Sequence, residues 1–159
     1  MRGKKAKKRL LVGDSIYANR LVTRLINRAM RDGKKSVAQK QVYDALDLFK
    51  KKIDKEDLIE AFRQAIENIK PIMEVRSRRV GGAAYQVPVP VKGDRREALA
   101  IRWLVLSARK RPNAQYRTFA EKLTAELFDA YKGEGEAVKR KETTHKMAEA
   151  NKAFAHFRW

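Results

Sequence analysis

The sequence predicts a mainly α fold: a six-helix single domain with a protruding two-stranded β-hairpin arm and a flexible basic N-terminal tail. Three observations carry this expectation. Apolar residues recur at helical spacing along most of the 159 residues. One stretch, EVRSRRVGGAAYQVPVPV at 74–91, instead alternates around a glycine pair, as paired strands do. The first nine residues hold six Lys or Arg and no acid. With 43% hydrophobic content, a chain of this length buries one ordinary core and leaves little for a second. No repeat of fixed period and no linker composition divides it.

In chain order, residues 1–12 form the basic tail. Leu21, Val22, Leu25, Ile26, Ala29 and Met30 then fall on one side of a first helix that should stop at Asp32-Gly33. A second helix runs from about Ser36, with Val42, Leu46, Phe49 and Ile53 as its core stripe. Asp54 is positioned to cap a third, in which Leu58, Phe62, Ala65, Ile66 and Ile69 face inward until Pro71. After the hairpin, Asp94 opens a fourth helix ending near Arg111-Pro112. Asn113 is expected to cap a fifth, with Tyr116, Ala120, Leu123 and Leu127 recurring on its inner face. Gly133 and Gly135 separate it from a sixth within 136–159. That last segment has no apolar residue from Lys139 to Lys146, so it should project from the body or lie against a charged partner.

Charge narrows the function. The chain carries 38 Lys+Arg against 19 Asp+Glu, a net +19, so the compact state repels itself unless a polyanion relieves it. The excess is localised: residues 1–9 carry +6 and residues 92–117 carry +6, whereas 118–137 carry −3. Several basic segments beside acid-rich ones point to a binding face, and nucleic acid is the obvious polyanion. No apolar run approaches the roughly 20 residues a membrane-spanning helix needs; the best candidate, ALAIRWLVL at 98–106, is short and contains Arg102. Only three apolar residues follow the basic start, too few for a signal-peptide core, which predicts a protein that stays in the compartment where it is made. The absence of cysteine excludes disulfides and thiolate metal sites and fits a reducing interior.

The candidate contacts are arginines. At 100° per residue, Arg20, Arg24, Arg28 and Arg31 gather within about 80° of arc opposite the apolar side of the first helix, a ridge suited to phosphate oxygens. In the fourth helix Arg102 sits between Ala98 and Leu106, where it either snorkels or finds an anion. Strand alternation puts Glu74, Arg76 and Arg78 on one face of the hairpin and Val75, Ser77 and Arg79 on the other. Pro88 and Pro90 exclude a central strand but fit an isolated ribbon, either an arm gripping a partner or a lid folded onto the helices.

Two rival classes fit less well. An architectural DNA-binding arm commonly wedges an apolar residue or proline into the minor groove, and this tip is Val80-Gly81-Gly82-Ala83. A nuclease would need a base or metal cluster. Only His145 and His156 are present, without HExxH, a phosphate-cradling glycine loop or paired carboxylates. No metal, cofactor or small-molecule substrate is expected.

INRAMRDGKKSVA at 26–38, ENIKPIMEVRSRRVGGAAYQVPVPV at 67–91, RREALAIRWL at 95–104 and HKMAEANKAFAHFRW at 145–159 resemble the signatures of the bacterial-type small-subunit ribosomal protein seven family. The resemblance implies a six-helix body with a hairpin arm in the head of the small ribosomal subunit. It further implies direct, early binding to the lower half of the 3′ major domain of small-subunit rRNA, nucleation of head assembly, and a place near the exit-site tRNA, the mRNA path and neighbouring ribosomal proteins. By that resemblance Arg2, Lys4, Lys5, Lys7, Lys8 and Arg9 are an RNA-threading tail, and Lys34 and Lys35 a first-loop contact. Arg76, Arg78 and Arg79 are a hairpin contact, and Arg95, Arg96, Arg102, Arg109, Lys110 and Arg111 complete the rRNA side. Val80, Gly81, Gly82 and Tyr85, with Lys139, Arg140, Lys141 and Lys146 of the sixth helix, lie toward tRNA, mRNA or a neighbouring protein. Tyr85 is expected to offer its ring to an unpaired base. The implied setting is a cytoplasmic ribosome of bacterial or organelle-encoded type, with no membrane partner.

Overall fold

A computed structural model describes residues 3, 11–53 and 57–157. The tail residues Arg2, Lys4, Lys5, Lys7, Lys8 and Arg9, and the expected cap Asp54, lie outside them. Six α-helices follow in order: α1 Arg20–Ala29, α2 Lys35–Lys52, α3 Leu58–Ile69, α4 Asp94–Lys110, α5 Phe119–Lys132 and α6 Glu136–Ala150. The strands β1 Met73–Val80 and β2 Ala83–Pro90 stand between α3 and α4, and a short 3₁₀ turn, Lys152–Phe157, follows α6.

Helix α5 is the axis of the body. It packs against α2, α3, α4 and α6, while α1 closes the far side against α2 and α4. The sequence explains its position, because FAEKLTAELFDAYK buries a run from Lys122 to Leu127 as well as Ala120 and Ala130, a helix enclosed almost all round. Phe49, Phe62, Leu25, Ile26, Leu46, Ile66, Ile69, Leu104, Leu123 and Leu127 are fully buried around it. Each such side chain contributes roughly 1.5–3 kcal/mol relative to exposure.

Helix ends follow their local chemistry, with two departures from expectation. Asp57, not Asp54, occupies the cap of α3, its carboxylate accepting from the Ile59 and Glu60 amides at 3.0 and 3.2 Å. Helix α5 starts at Phe119 rather than after Asn113. Thr118 and Glu121 form a reciprocal capping box there, which satisfies two amides at once and outcompetes the lone Asn113 side chain. Tyr116 consequently sits in the loop before α5. Asn19 caps α1 through the Leu21 amide at 2.8 Å, and Gly133, at φ 83°, ends α5 in the left-handed conformation.

The hairpin pairs antiparallel from Val80 opposite Ala83 to Met73 opposite Pro90, with Gly81 and Gly82 at φ 57° and 92°. Positive φ at both central residues is the turn whose twist matches paired strands. Its two halves differ. Glu74, Val87, Pro88 and Val91 are buried at the base, whereas Arg79, Gly81, Gly82, Ala83 and Ala84 are exposed at the tip. It is a lid at its root and an arm at its end.

Helix α6 does not project. It lies along β1 and touches α3, α4, α5 and β2, burying Ala137, Val138 and Ala148. Its polar turns dock through side chains instead of an apolar stripe. Lys141 Nζ donates to the Asn68 carbonyl at 2.5 Å, and His145 Nε2 accepts from the Ile72 amide at 3.0 Å. The 3₁₀ turn beyond it folds back onto β2.

Candidate nucleic-acid interface

The predicted cations separate into those held by acids and those left facing outward. Arg24 belongs to the first group. It ion-pairs with Asp94, at 2.7 Å, and with Glu97, and these join α1 to the first turn of α4. Helical periodicity placed it correctly on the ridge, but only the tertiary fold brings α4 beside it. Arg20 and Arg28 are exposed on α1, whereas Arg31, also exposed, lies past the end of the helix and is not placed by its phase.

Arg111 is more firmly held. Its guanidinium donates to Glu126 at 2.8 Å and to Asp129, and it lies over the Tyr116 ring. Burial alone would lower its proton affinity, but the hydrogen bonds to Asp129 and Glu126 outweigh this and raise it. Glu126 is 1% exposed and its other oxygen accepts from the Ala137 amide at 2.9 Å, capping the start of α6. Arg111, expected on the rRNA side, is thus tied to acids of α5 in the described chain.

At the hairpin root Glu74, 7% exposed, gathers two arginines. Arg95 donates to both of its oxygens at 2.8–2.9 Å, and Arg76 Nε to one of them at 2.5 Å. Burial pushes the Glu74 carboxyl up, yet the hydrogen bonds from Arg95 and Arg76 hold it below the ordinary carboxylate range. Arg96 is also engaged, with Nε on the Pro71 carbonyl at 3.1 Å. Of the three hairpin arginines, Arg79 is exposed near the tip and Arg78 half-buried; neither forms an ion pair with a described residue.

The outward group forms a continuous belt. Arg28 and Arg102 line one groove between α1 and α4, together with Asn27, Ala98 and Ile101. Arg102 is exposed there, as a snorkelling side chain is, and pairs with no acid among the described residues. Arg109, two turns further along α4, donates to the Ala29 carbonyl at the end of α1, 2.9 Å away. Burial, then repulsion from Arg31 and Arg28, lowers its proton affinity, so the charge around it is uncompensated. Arg109, Arg31 and Lys34 in turn line a cleft of about 400 Å³ with Arg117 and Lys122. Lys35 and Lys110 are exposed beside this belt.

Arg117 and Lys122 were missed in the sequence because they sit in and after a loop read as the start of a helix. The capping pair Thr118 and Glu121 was the available signal. On the remaining side, Lys139, Arg140 and Lys146 of α6 are exposed, while Lys141 is half-buried on its carbonyl. Val80 is half-buried and Gly81 and Gly82 exposed. Tyr85 is not a free platform: its ring packs 5.3 and 5.2 Å from those of Phe154 and Phe157. His156 joins this cluster at 4.0 Å from Phe157.

A chain of helices that presents a basic belt and a glycine-tipped basic hairpin has close relatives. The family model for ribosomal protein S7p/S5e matches residues 1–152. The chain belongs to the ribosomal protein S7p/S5e family. It is 54% identical to the small ribosomal subunit protein uS7 of Thermotoga neapolitana over all 159 residues of both chains. It is also 54% identical to that of Campylobacter hominis over the whole of both chains. With the uS7 protein of Carboxydothermus hydrogenoformans it shares 56% identity over 152 residues, 96% of this chain and 95% of the relative. Family membership makes it a structural component of the small ribosomal subunit and not an enzyme.

Proposed function

We propose that the chain binds small-subunit rRNA directly, at the lower half of the 3′ major domain, and that this binding nucleates assembly of the subunit head in the bacterial cytoplasm. The observation that carries this is the unpaired belt running from Arg102 through Arg28, Arg109 and Arg31 to Lys34. Acids neutralise Arg24, Arg76, Arg95 and Arg111 elsewhere, whereas these five cations are grouped along two adjoining clefts with no acid partner among the described residues. RNA's deep major groove excludes a helical body, so the belt and arm fit the outline of a multi-helix junction and follow its phosphates. The exposed hairpin tip and the outer face of α6, with Lys139, Arg140 and Lys146, lie toward exit-site tRNA, mRNA or a neighbouring small-subunit protein.

The test is binding to the isolated 3′ major domain, competed with a large excess of scrambled RNA of equal length at about 0.2 M salt, where purely electrostatic binding is weak. Survival of the complex is the expected result. Free displacement by the scrambled RNA would reduce the interaction to charge alone and favour a general nucleic-acid-binding role.

A further inference from the structure

The cleft between the end of α1, the start of α2, the end of α4 and the loop before α5 has a chemistry of its own. Its lining holds five cations, Arg31, Lys34, Arg109, Arg117 and Lys122, and no carboxylate. Lys122 is the unusual member. It is 8% exposed, and the hydrogen bond recorded for its ammonium goes to a neutral amide, Asn113 Oδ1 at 2.5 Å. Lysines this deeply buried are almost always matched by an acid, because removing an ammonium from water is costly. The contrast within the same protein is direct, since buried Glu74 and half-buried Arg111 each have opposite charges at hydrogen-bond distance. Arg109 is fixed in the same wall by the Ala29 carbonyl, so the site is built before any ligand arrives. The cleft is also partly apolar. Val37 is 58% exposed at its rim, and Phe119 is half-buried with the Arg109 guanidinium 6.0 Å from its ring centre.

We propose that this cleft is a discrete phosphate seat that holds one nucleotide of the bound RNA, its phosphate among Lys122, Arg109, Arg31 and Lys34 and its base against Phe119 and Val37. The proposal rests on the RNA-binding reading above and deepens it. It converts part of the belt from a smooth electrostatic surface into a pocket that favours a nucleotide turned out of its helix, which is how a helical protein gains selectivity on RNA. A phosphate group is common to RNA, free nucleotides and the inorganic ion, and the measurement separates them.

Thermal unfolding of the full chain is followed in chloride, in inorganic phosphate and in a nucleoside 5′-monophosphate, all at matched ionic strength. At about tenfold above the dissociation constant, phosphate raises Tm by on the order of 3 to 6 °C over chloride, and the nucleotide acts at lower concentration than phosphate. Lys122→Met keeps the side-chain volume without the charge, so it melts at or above the parent temperature in chloride and loses most of the phosphate increment. Arg31→Ala, at an exposed site, reduces that increment without depending on the refolding of the interior. Lys51→Ala, exposed in the last turn of α2 and away from the cleft, keeps it. No difference between phosphate and chloride, or a full increment in both Lys122→Met and Arg31→Ala, overturns the seat. Equal potency of phosphate and nucleotide overturns the base contact.

Binding of the 3′ major domain is measured in parallel, with Lys122→Met expected to weaken it about tenfold or more. RNA binding that resists scrambled competitor yet ignores Lys122→Met would sink the seat and leave the RNA-binding reading standing. Scrambled RNA displacing the parent protein would instead sink the reading on which the seat rests.

Discussion

At the scale of single residues, the same side chain serves opposite purposes according to what lies opposite it. Arg111 and Arg28 are both arginines in basic surroundings. Arg111 has two carboxylates within hydrogen-bond distance, one of them the buried Glu126, and Arg28 is exposed in a groove beside Arg102. Arg111→Ala strands Glu126 in the interior, so we predict a loss of about 3 kcal/mol in denaturant-monitored stability. RNA affinity per folded molecule should stay near the parent value; a large loss of affinity would mean that Arg111 meets RNA after all. Arg24 and Arg28 give a paired comparison one helical turn apart. Arg28→Ala is predicted to lower the dependence of log K on log salt by about 0.7 to 0.9, one phosphate contact, without changing the melting temperature. Arg24→Ala is predicted to do the reverse, because it breaks the link between α1 and α4 and removes no free cation. Salt titrations and melts of the two variants decide it. The residue types and their helical phase were legible in the sequence. Their availability was not, because the acids that occupy Arg24, Arg95 and Arg111 come from positions 15 to 73 residues away.

At the scale of elements, the helices and the hairpin were legible because their signals are local: apolar spacing, a glycine pair, prolines and caps. The errors arose where two local signals competed. Asn113 lost to the capping box at Thr118 and Glu121, and Asp54 to Asp57. The placement of α6 was illegible for a different reason. A helix without an apolar stripe gives no hint that it docks, and here the docking is done by hydrogen bonds to backbone groups at the end of α3 and the root of β1. His145 is the clearest case. Its Nε2 accepts from the Ile72 amide, which requires the neutral ring, and burial followed by the nearby Lys141 charge lowers its proton affinity. A histidine whose folded pKa is depressed binds fewer protons folded than unfolded, so its contribution is present above the unfolded value of about 6.5 and shrinks as pH falls below it. We predict that chain stability declines on going from pH 7.5 to 5.5, with a lower protection factor for the Ile72 amide proton relative to its intrinsic exchange rate at each pH. His145→Gln, which offers an uncharged acceptor, should flatten that part of the profile. An unchanged profile in the variant would assign the decline to other groups.

At the scale of the whole molecule, a net charge of +19 on 159 residues is tolerable because it is divided. Acids inside the fold neutralise the arginines that hold elements together, while the first nine residues alone hold six cations and the belt and the cleft beside it gather several more. The division predicts that affinity and selectivity are separable. Those nine residues carry six cations, and neutralising a phosphate with each would contribute about 0.7 to 0.9 apiece to the salt dependence of binding. A chain lacking residues 1–10 should therefore bind the 3′ major domain more weakly and with a slope lower by about 4 to 5. Its preference for that domain over scrambled RNA, measured at equal salt, should remain, because the belt and cleft that fit a junction are intact. Charge that strengthens attachment to any polyanion does not by itself discriminate, whereas charge fixed on packed helices discriminates among shapes. If the truncated chain loses its preference along with its affinity, the tail takes part in recognising the junction and the belt alone is insufficient. If it keeps the preference, the packed helices are the part of this protein that selects its RNA.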